Sequence, residues 1–288
     1  QTVVAEAQAA ADTEHRMTVW QAVTTYRHAI GWSVLLSSTL IMEGYDLALL
    51  GTLFASPPFN RKYGKYDATH DKYQISAPWQ SGLSNGVRAG QVCGLIIAGL
   101  TVDRFGYKNT TLGFLTAMIA FVFVLFFAPN IQTLLAGEIL CGMPWGAFQG
   151  ITPAYASEVA PLALRPFLAT FINMCWVIGQ FFAVAVNKGS STRDDQWAYR
   201  IPFAVQWVWP VPILCALIFA PESPWWYMRK NNYKAARRAL TRLTARQDQD
   251  EFDVDKALAL IEHTNRMEEK IKAGVSYKDC FRGTDLRR

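Results

Sequence analysis

The sequence predicts an all-α membrane protein with six transmembrane helices followed by cytoplasmic helices. Hydrophobic residues make up 51% of the 288 residues, yet the mean hydropathy is only +0.08, because the apolar residues are concentrated in long segments. Lys and Arg gather in the loops on one side of these segments, and few ionisable residues lie inside them. These three observations together predict the fold class.

Six segments are each about long enough to cross ~30 Å of hydrocarbon as a helix. They are residues 29–54, 79–102, 110–128, 131–157, 166–187 and 201–220. The third, fifth and sixth contain no Asp, Glu, Lys or Arg. One such segment could be a buried helix of a soluble protein, but six in succession favour a membrane domain. The first segment is too long for a signal peptide.

The basic residues of the short loops predict the orientation. Arg104 and Lys108 lie between spans two and three, Arg165 lies between spans four and five, and a basic cluster follows span six. All three positions are on one side, which is the cytoplasmic side if the N-terminus is cytoplasmic. The loop 55–78, with four basic residues, fits this rule less well. The net charge of +5 follows from this bias, so no nucleic-acid partner is predicted.

We therefore expect a cytoplasmic segment 1–28, a membrane domain 29–220 and a cytoplasmic tail 221–288. Apolar residues recur at helical spacing in 235–243, and a second amphipathic helix is predicted over 254–272. Both helices are expected to lie against the membrane domain or its surface lipids. A separate soluble domain is the alternative.

Four charged residues lie inside the predicted spans, where an ionisable residue indicates a functional site. They are Glu43, Asp46, Arg88 and Glu138. At ~1.5 Å of rise per residue, Asp46, Arg88 and Glu138 lie about 12, 13 and 10 Å from the outer ends of their spans. Similar depth predicts an interior cluster. With one Arg for three acids, at least one carboxyl is expected to hold a proton near neutral pH, as a proton carrier must.

Small residues in two spans indicate close helix packing. Gly86, Gly90 and Gly94 share one face of span two, and Gly142 and Gly146 repeat the spacing in span four. Glycines at this spacing let helix backbones approach each other in membranes.

Three motifs follow the even-numbered spans in order. Residues 99–108 read GLTVDRFGYK, residues 155–165 read YASEVAPLALR, and residues 221–226 read PESPWW. With Gly44-Tyr45-Asp46, they resemble the sugar porter family of the major facilitator superfamily, most of all the fungal maltose and α-glucoside permeases. The resemblance covers roughly residues 25–288 and implies the six-helix N-terminal half of a major facilitator fold. Trp225 stands where the family usually has Arg.

The resemblance implies a gate on the cytoplasmic side. Opposite charges at the helix ends, Asp103 with Arg104 and Glu158 with Arg165, are predicted to pair weakly enough to release. The predicted gate residues are Asp103, Arg104, Gly106, Lys108, Glu158, Arg165 and Glu222.

The resemblance also implies sugar contacts in span five. Asn173 and Gln180 lie seven residues apart, on one helix face, and match positions where the family has sugar-binding amides. An amide donates and accepts hydrogen bonds, which suits a polyol. Four further residues are candidates for the cavity wall: Tyr45, Trp145, Gln149 and Trp176.

Two departures from the family pattern leave proton coupling open. Glu138 stands where proton-coupled members have an Arg, and Gln91 stands where the α-glucoside group more often has an acid. Arg88, one turn from Gln91, is a candidate counter-ion. The sequence thus predicts a sugar:proton symporter for an α-glucoside such as maltose or for a hexose. A facilitated-diffusion carrier and a non-transporting sugar sensor on the same fold are the alternatives.

The expected partners are a sugar, protons, the lipid bilayer and a second six-helix half. Residues 277–284 resemble the linker before the seventh helix, so the chain is expected to be incomplete and unable to transport alone. Without a CxxC pair, metal-ligand spacing, nucleophile–base pairing or phosphate loop, no metal, cofactor or enzymatic activity is predicted. The plasma membrane is the expected location.

Overall fold

The computed structural model describes residues 17–68, 71–244 and 254–272, and nearly all of this part is helical. The helices are α1 Val19–Thr25, α2 Arg27–Ser37, α3 Thr39–Leu53, α4 Pro57–Tyr63, α5 Ala77–Phe105, α6 Tyr107–Phe126, α7 Ile131–Val159, α8 Arg165–Ser190, α9 Trp197–Val205, α10 Pro210–Leu217, α11 Pro224–Arg229, α12 Tyr233–Leu243 and α13 Val254–Lys272. The predicted linker at 277–284 and most of the segment 1–28 lie outside the described residues.

The six predicted spans correspond to these helices. Span one is α2 with α3, spans two to five are α5, α6, α7 and α8, and span six is α9 with α10. Among the described helices, four are long and apolar enough to cross a membrane by length and composition, and they are spans one, three, five and six. Spans two and four are also long enough, with 29 residues each, but they contain more glycine than any of the other four.

Two spans are interrupted for local chemical reasons. In span one, the hydroxyls of Ser37, Ser38 and Thr39 donate to the carbonyls of Ser33, Val34 and Leu36, a pattern that bends helices. In span six, a short 3-10 turn at Gln206–Val208 precedes Pro210. Proline lacks the N–H that would continue the helix. Pro144, by contrast, lies inside a continuous span four.

The glycines of spans two and four interlock. A side chain on Gly94 would meet the Met143 backbone, and one on Gly146 would meet the Gln91 backbone. Gly90 and Gly142 likewise approach one another through their Cα atoms. The predicted packing role of these glycines is therefore confirmed. Gly44 lies against the Trp176 carbonyl in the same manner, which brings span one against span five.

The loop between spans one and two holds the short α4 and a two-stranded antiparallel hairpin, β1 Lys65–Asp67 and β2 Lys72–Gln74. This hairpin was not predicted from the sequence. The opposite side of the bundle carries loops 103–108 and 160–165 and residues 221–244, and we call it the basic side. There α12 and α13 pack together through Ala236, Leu240, Leu258 and Ile261.

Candidate functional site

Two buried carboxyls meet between spans one and four. Asp46 on α3 and Glu138 on α7 are both fully buried, and their carboxyls lie close enough to act on each other electrostatically. Among the described residues, no Lys or Arg forms an ion pair with either of them. The predicted meeting of Asp46 and Glu138 inside the bundle is thus what the structure shows.

The oxygens of this pair lack donors. Asp46 Oδ2 and both carboxyl oxygens of Glu138 have no hydrogen-bond donor within the part of the chain that the structure describes. Buried polar atoms are nearly always hydrogen-bonded, and an ionised carboxylate can only accept. Two ionised carboxylates would leave these oxygens without any compensating donor, so we expect one of the two carboxyls to carry a proton.

Span six supplies the remaining partner of Asp46. Gln206 lies in the 3-10 turn and donates from Nε2 to Asp46 Oδ1 over 2.5 Å. Its own oxygen, Oε1, is buried without a donor. Gln206 was not predicted as a site residue, although it is the one amide in an otherwise apolar or aromatic span six, and that isolation was the available signal.

Glu43 lies one turn before Asp46 and is surrounded by amides. Gln91 Nε2 donates to Glu43 Oε1 over 2.9 Å, and Gln149 Nε2 donates to the same oxygen. Trp176 lies beside this carboxyl. Arg88 does not contact Glu43 directly: its Nη1 donates to Gln91 Oε1 over 3.2 Å. The predicted counter-ion is thus on the exposed face of span two, where its charge reaches Glu43 while its hydrogen bond goes to Gln91.

The six predicted sugar-contacting residues occupy different environments. Gln149 and Asn173 are exposed, and Trp176 and Gln180 are half-buried. Tyr45 and Trp145 are completely buried, and the Tyr45 hydroxyl donates to the Pro202 carbonyl over 2.8 Å. The proposed cavity-wall role of Tyr45 and Trp145 is therefore not supported by their placement, because packing between the spans encloses both rings.

On the basic side, Glu222 caps the start of span three. Its carboxylate accepts from the backbone N–H groups of Tyr107, Lys108 and Ser223, each over 3.0 Å. The first N–H groups of a helix have no partner inside it, so a carboxylate there satisfies them and complements the helix dipole. Burial raises the pKa of Glu222, and the three N–H groups oppose this shift.

Gly106 permits this capping. It has a φ of +87°, a backbone conformation that L side chains rarely adopt, and a Cβ there would collide with the Glu222 carboxylate. Three of the predicted gate residues, Gly106, Lys108 and Glu222, therefore meet at this helix cap. Lys108 Nζ also donates to the Ile218 carbonyl over 2.6 Å.

Glu158 binds a partner that the sequence analysis did not predict. Arg229 Nη1 lies 2.9 Å from Glu158 Oε1, the Tyr107 hydroxyl donates to that oxygen over 2.8 Å, and Ser223 Oγ donates to the other oxygen. The predicted Glu158–Arg165 pair is wrong: Arg165 Nε instead donates to the Ala160 carbonyl over 3.3 Å. The helix ends at Val159, and the extended loop after it carries Arg165 away.

The predicted Asp103–Arg104 pair is also absent from the described part of the chain. Neighbouring residues on a helix point about 100° apart, so these two side chains diverge. Arg104 lies over the Phe105 ring at 5.3 Å, and the Asp103 carbonyl accepts from Trp226 Nε1 over 3.3 Å. Trp226 of α11 thereby joins the end of span two to the chain that follows span six.

This bundle has the fold of the major facilitator superfamily. Two solved structures of the xylose transporter XylE from E. coli superpose on it with a TM-score of 0.67 each. One, in a partially occluded inward-open conformation, is 18% identical, and the match covers 85% of this chain and 61% of that one. The other, a proton:xylose symporter bound to 6-bromo-6-deoxy-D-glucose, is 19% identical, and the match covers 87% of this chain and 57% of that one.

The chain belongs to the family described as "Sugar (and other) transporter", whose profile matches residues 32–288. The maltose permease MAL31 of Saccharomyces cerevisiae is 41% identical over 287 residues, which are 98% of this chain and 47% of that protein. The alpha-glucosides permease MPH3 of the same species is 42% identical over 283 residues, which are 96% of this chain and 46% of that protein. The chain thus spans about half the length of the curated relatives it matches.

Proposed function

We propose that the chain forms the first six helices of a sugar transporter that couples uptake of an α-glucoside such as maltose, or of a hexose, to protons by alternating access. Membership of the sugar transporter family supports the class of function. The names of the relatives, maltose permease and alpha-glucosides permease, support the substrate class. The observation that carries proton coupling is the burial of Asp46 and Glu138 close together.

The proton is held by the Asp46–Glu138 pair. A shared proton joins the two carboxyls by a hydrogen bond, and its loss leaves two negative charges in a buried site that no cation of the described residues contacts. Like charges in a desolvated site repel strongly, so deprotonation favours separation of spans one and four. A change in the packing of these two spans is the step that converts proton release into alternating access.

The sugar is held on the accessible side of Glu43. Gln149 bonds to Glu43 while remaining exposed, and Trp176 lies beside the same carboxyl. The amides of Gln180 and Asn173 continue this surface along span five. A sugar hydroxyl that competes for the Gln149 amide disturbs Glu43, which is close enough to Asp46 to act on it electrostatically. Gln149 therefore connects the sugar site to the proton site.

The contacts on the basic side act as the gate. Glu158 with Arg229, and Glu222 with the start of span three, tie the ends of spans three, four and six to α11. A half-exposed ion pair contributes only about 0–1 kcal/mol, so these contacts can break in each transport cycle. Asp103, Arg104 and Arg165 border this gate.

The arrangement in the membrane is part of the proposal. Segment 1–28 and residues 221–288 lie in the cytoplasm of a plasma-membrane protein, and a second six-helix half completes the substrate site. The concentration of Lys and Arg at loops 103–108 and residues 221–244 supports this orientation.

A facilitated-diffusion carrier is the second candidate. Gln91 is an amide where the related α-glucoside permeases more often carry an acid, and Glu138 replaces an Arg, so the polar groups around Asp46 differ from those of proton-coupled members. The sugar sensor is a third candidate on the same fold and would bind sugar without moving it.

Uptake in vesicles tests the proposal. The chain is joined to the C-terminal half of MAL31, and labelled maltose and glucose uptake is measured with and without an inward proton gradient. Asp46→Asn and Glu138→Gln are compared with Asp71→Asn, an exposed carboxyl in the hairpin loop. The chain alone and the MAL31 half alone serve as controls for the need for both halves.

We expect uptake that requires the gradient and both buried carboxyls and that Asp71→Asn leaves unchanged. Uptake that ignores the gradient and both substitutions would support facilitated diffusion. Sugar binding without uptake in the joined protein would support the sensor. Uptake by the 288-residue chain alone would contradict the proposed need for a second half.

A further inference from the structure

Between residues 224 and 244 the chain carries six basic residues and no acid. Three of the six have partners: Arg229 binds Glu158, Arg237 binds Asp255, and Arg242 donates to the Phe219 carbonyl. The side chains of the other three, Lys230, Lys234 and Arg238, are exposed and have no hydrogen-bond or ion-pair partner among the described residues. The transport cycle proposed above uses none of them.

Two of these three, Lys234 and Arg238, lie on α12 and continue the line of Arg242. Residues 234, 238 and 242 are four apart and therefore lie on one face of α12. The opposite face, with Ala236, Leu240 and Leu243, is buried. We call Lys234, Arg238 and Arg242 the cationic stripe.

The stripe begins at the edge of the membrane domain. Arg242 Nη2 donates to the Phe219 carbonyl over 2.7 Å, and Lys108 Nζ donates to the adjacent Ile218 carbonyl over 2.6 Å. A carbonyl satisfies the hydrogen bond but leaves the positive charge uncompensated. Two cations thus lie side by side at the end of span six.

Apolar surface adjoins these cations. The side chains of Ile218 and Phe219 are 54% and 70% exposed. Exposed apolar residues beside a row of cations at a membrane boundary match the two parts of a phospholipid, an acyl chain and a negatively charged headgroup. A soluble acidic partner would use the cations but would leave Ile218 and Phe219 uncovered.

We propose that the cationic stripe, with Lys108, binds the headgroup of an anionic phospholipid whose acyl chain lies along Ile218 and Phe219. The occupant is a lipid of the bilayer on the basic side, and its binding holds α12 against the end of span six. This site is separate from the sugar and proton sites, so its existence does not depend on the proposed transport activity.

The test uses the whole 288-residue chain purified in a neutral detergent. Phosphatidylinositol or phosphatidylcholine is added as mixed micelles, and an apparent dissociation constant is taken from the rise in the thermal unfolding midpoint. Lys234→Gln with Arg238→Gln removes two charges from the stripe. Arg61→Gln with Lys62→Gln removes two exposed charges from α4, on the other side of the bundle, and is the matched control.

We expect phosphatidylinositol to bind the native chain more tightly than phosphatidylcholine. The stripe variant should bind phosphatidylinositol about thirtyfold more weakly than the native chain does. This factor is the usual contribution of one basic residue near an anionic surface, counted for the two residues that are replaced. The control variant should match the native chain. Lys234→Glu with Arg238→Glu should abolish the preference. The melting of each variant without added lipid shows that it is folded.

Three results would overturn the proposal. The stripe variant could retain the native affinity, or the control variant could lose as much as the stripe variant, which would mean a general charge effect. Inorganic phosphate or inositol phosphate could stabilise the chain as well as the lipid does, which would mean that the acyl chain and its apolar surface play no part.

Discussion

Gln206 Nε2 donates a 2.5 Å hydrogen bond to Asp46 Oδ1, while Asp46 Oδ2 has no partner among the described residues and the carboxyl of Glu138 lies nearby. Spans one, four and six therefore meet at one carboxyl. The position of the Gln206 amide depends on the 3-10 turn before Pro210, so an irregularity of span six orients the group that holds Asp46.

Replacement of Gln206 by Met should destabilise the fold. The change keeps the side-chain length but leaves Asp46 Oδ1 buried without its donor, which costs about 1–3 kcal/mol. The thermal unfolding midpoint in detergent measures this loss. Gln180→Met, at a half-buried amide of span five, is the matched control and should melt close to the native chain. Equal melting of the two variants would mean that the Gln206 bond does not stabilise the site.

Gly94→Ala should be far more damaging than Gly99→Ala. A Cβ at Gly94 would collide with the Met143 backbone, whereas nothing lies within 4 Å of a Cβ at Gly99. Backbone cannot move aside cheaply, so we expect Gly94→Ala to cost about 1–3 kcal/mol, as overpacking does. The thermal unfolding midpoints of the two variants measure this difference. A Gly94→Ala variant that melts like Gly99→Ala would contradict the close approach of spans two and four.

The Glu222 cap predicts a difference between two substitutions. Glu222→Ala removes the acceptor of the first two N–H groups of span three and should cost about 0.5–2 kcal/mol, like the loss of other helix caps. Glu222→Gln keeps one acceptor oxygen and should cost less. Unfolding midpoints at one fixed pH compare the two. If both variants melt alike, the carboxylate is not acting as a cap.

The same residue predicts a pH dependence of stability. Burial raises the pKa of Glu222 above its ordinary value of 4.5, so the folded chain binds this proton more readily than the unfolded chain does. Stability then falls as the pH rises from 4.5 through the raised pKa. Glu222→Gln lacks this proton, so its melting midpoint should fall less than that of the native chain over this range. A steeper fall in the variant would contradict the direction of the shift.

Arg229→Gln should weaken the basic-side contacts more than Arg165→Gln does. Arg229 is the ion-pair partner of Glu158, and the two side chains are 33% and 15% exposed, so solvent limits the loss to about 1 kcal/mol. Arg165 contacts only a backbone carbonyl among the described residues, and its loss should be smaller. The rate at which a cysteine placed at Ala156, a buried position of span four, reacts with a water-soluble thiol reagent reports opening of this side. Faster labelling in Arg165→Gln than in Arg229→Gln would reverse the assignment.

Much of the fold follows from the sequence alone. Hydropathy located all six spans to within a few residues, because the length of a membrane helix is set by the bilayer. The four-residue spacing of Gly90 and Gly94 predicted close packing with span four, because small residues at this spacing have few other uses in a membrane helix. The breaks at Ser38 and Gln206 were not predicted, since they depend on local hydrogen bonds and prolines within an apolar run.

The site was harder to predict. Depth along the helix predicted that Asp46 and Glu138 are at one level, and they lie close together, but depth does not tell which face a side chain occupies. Tyr45 and Trp145 were therefore expected in a cavity although they are enclosed in the core. Proximity in the chain suggested the Asp103–Arg104 and Glu158–Arg165 pairs. The actual partner of Glu158, Arg229, is 71 residues away and becomes its neighbour only when α11 folds beneath the bundle.

The central claim is that Asp46 and Glu138 share a proton at neutral pH. Infrared spectroscopy of the chain in lipid nanodiscs tests this directly, because a protonated carboxyl has a C=O stretch that an ionised one lacks. We predict that the native chain shows this band from a buried carboxyl at neutral pH and that Asp46→Asn with Glu138→Gln removes it. An identical carboxyl band in the native chain and the double variant would show that the pair carries no proton and would contradict the account.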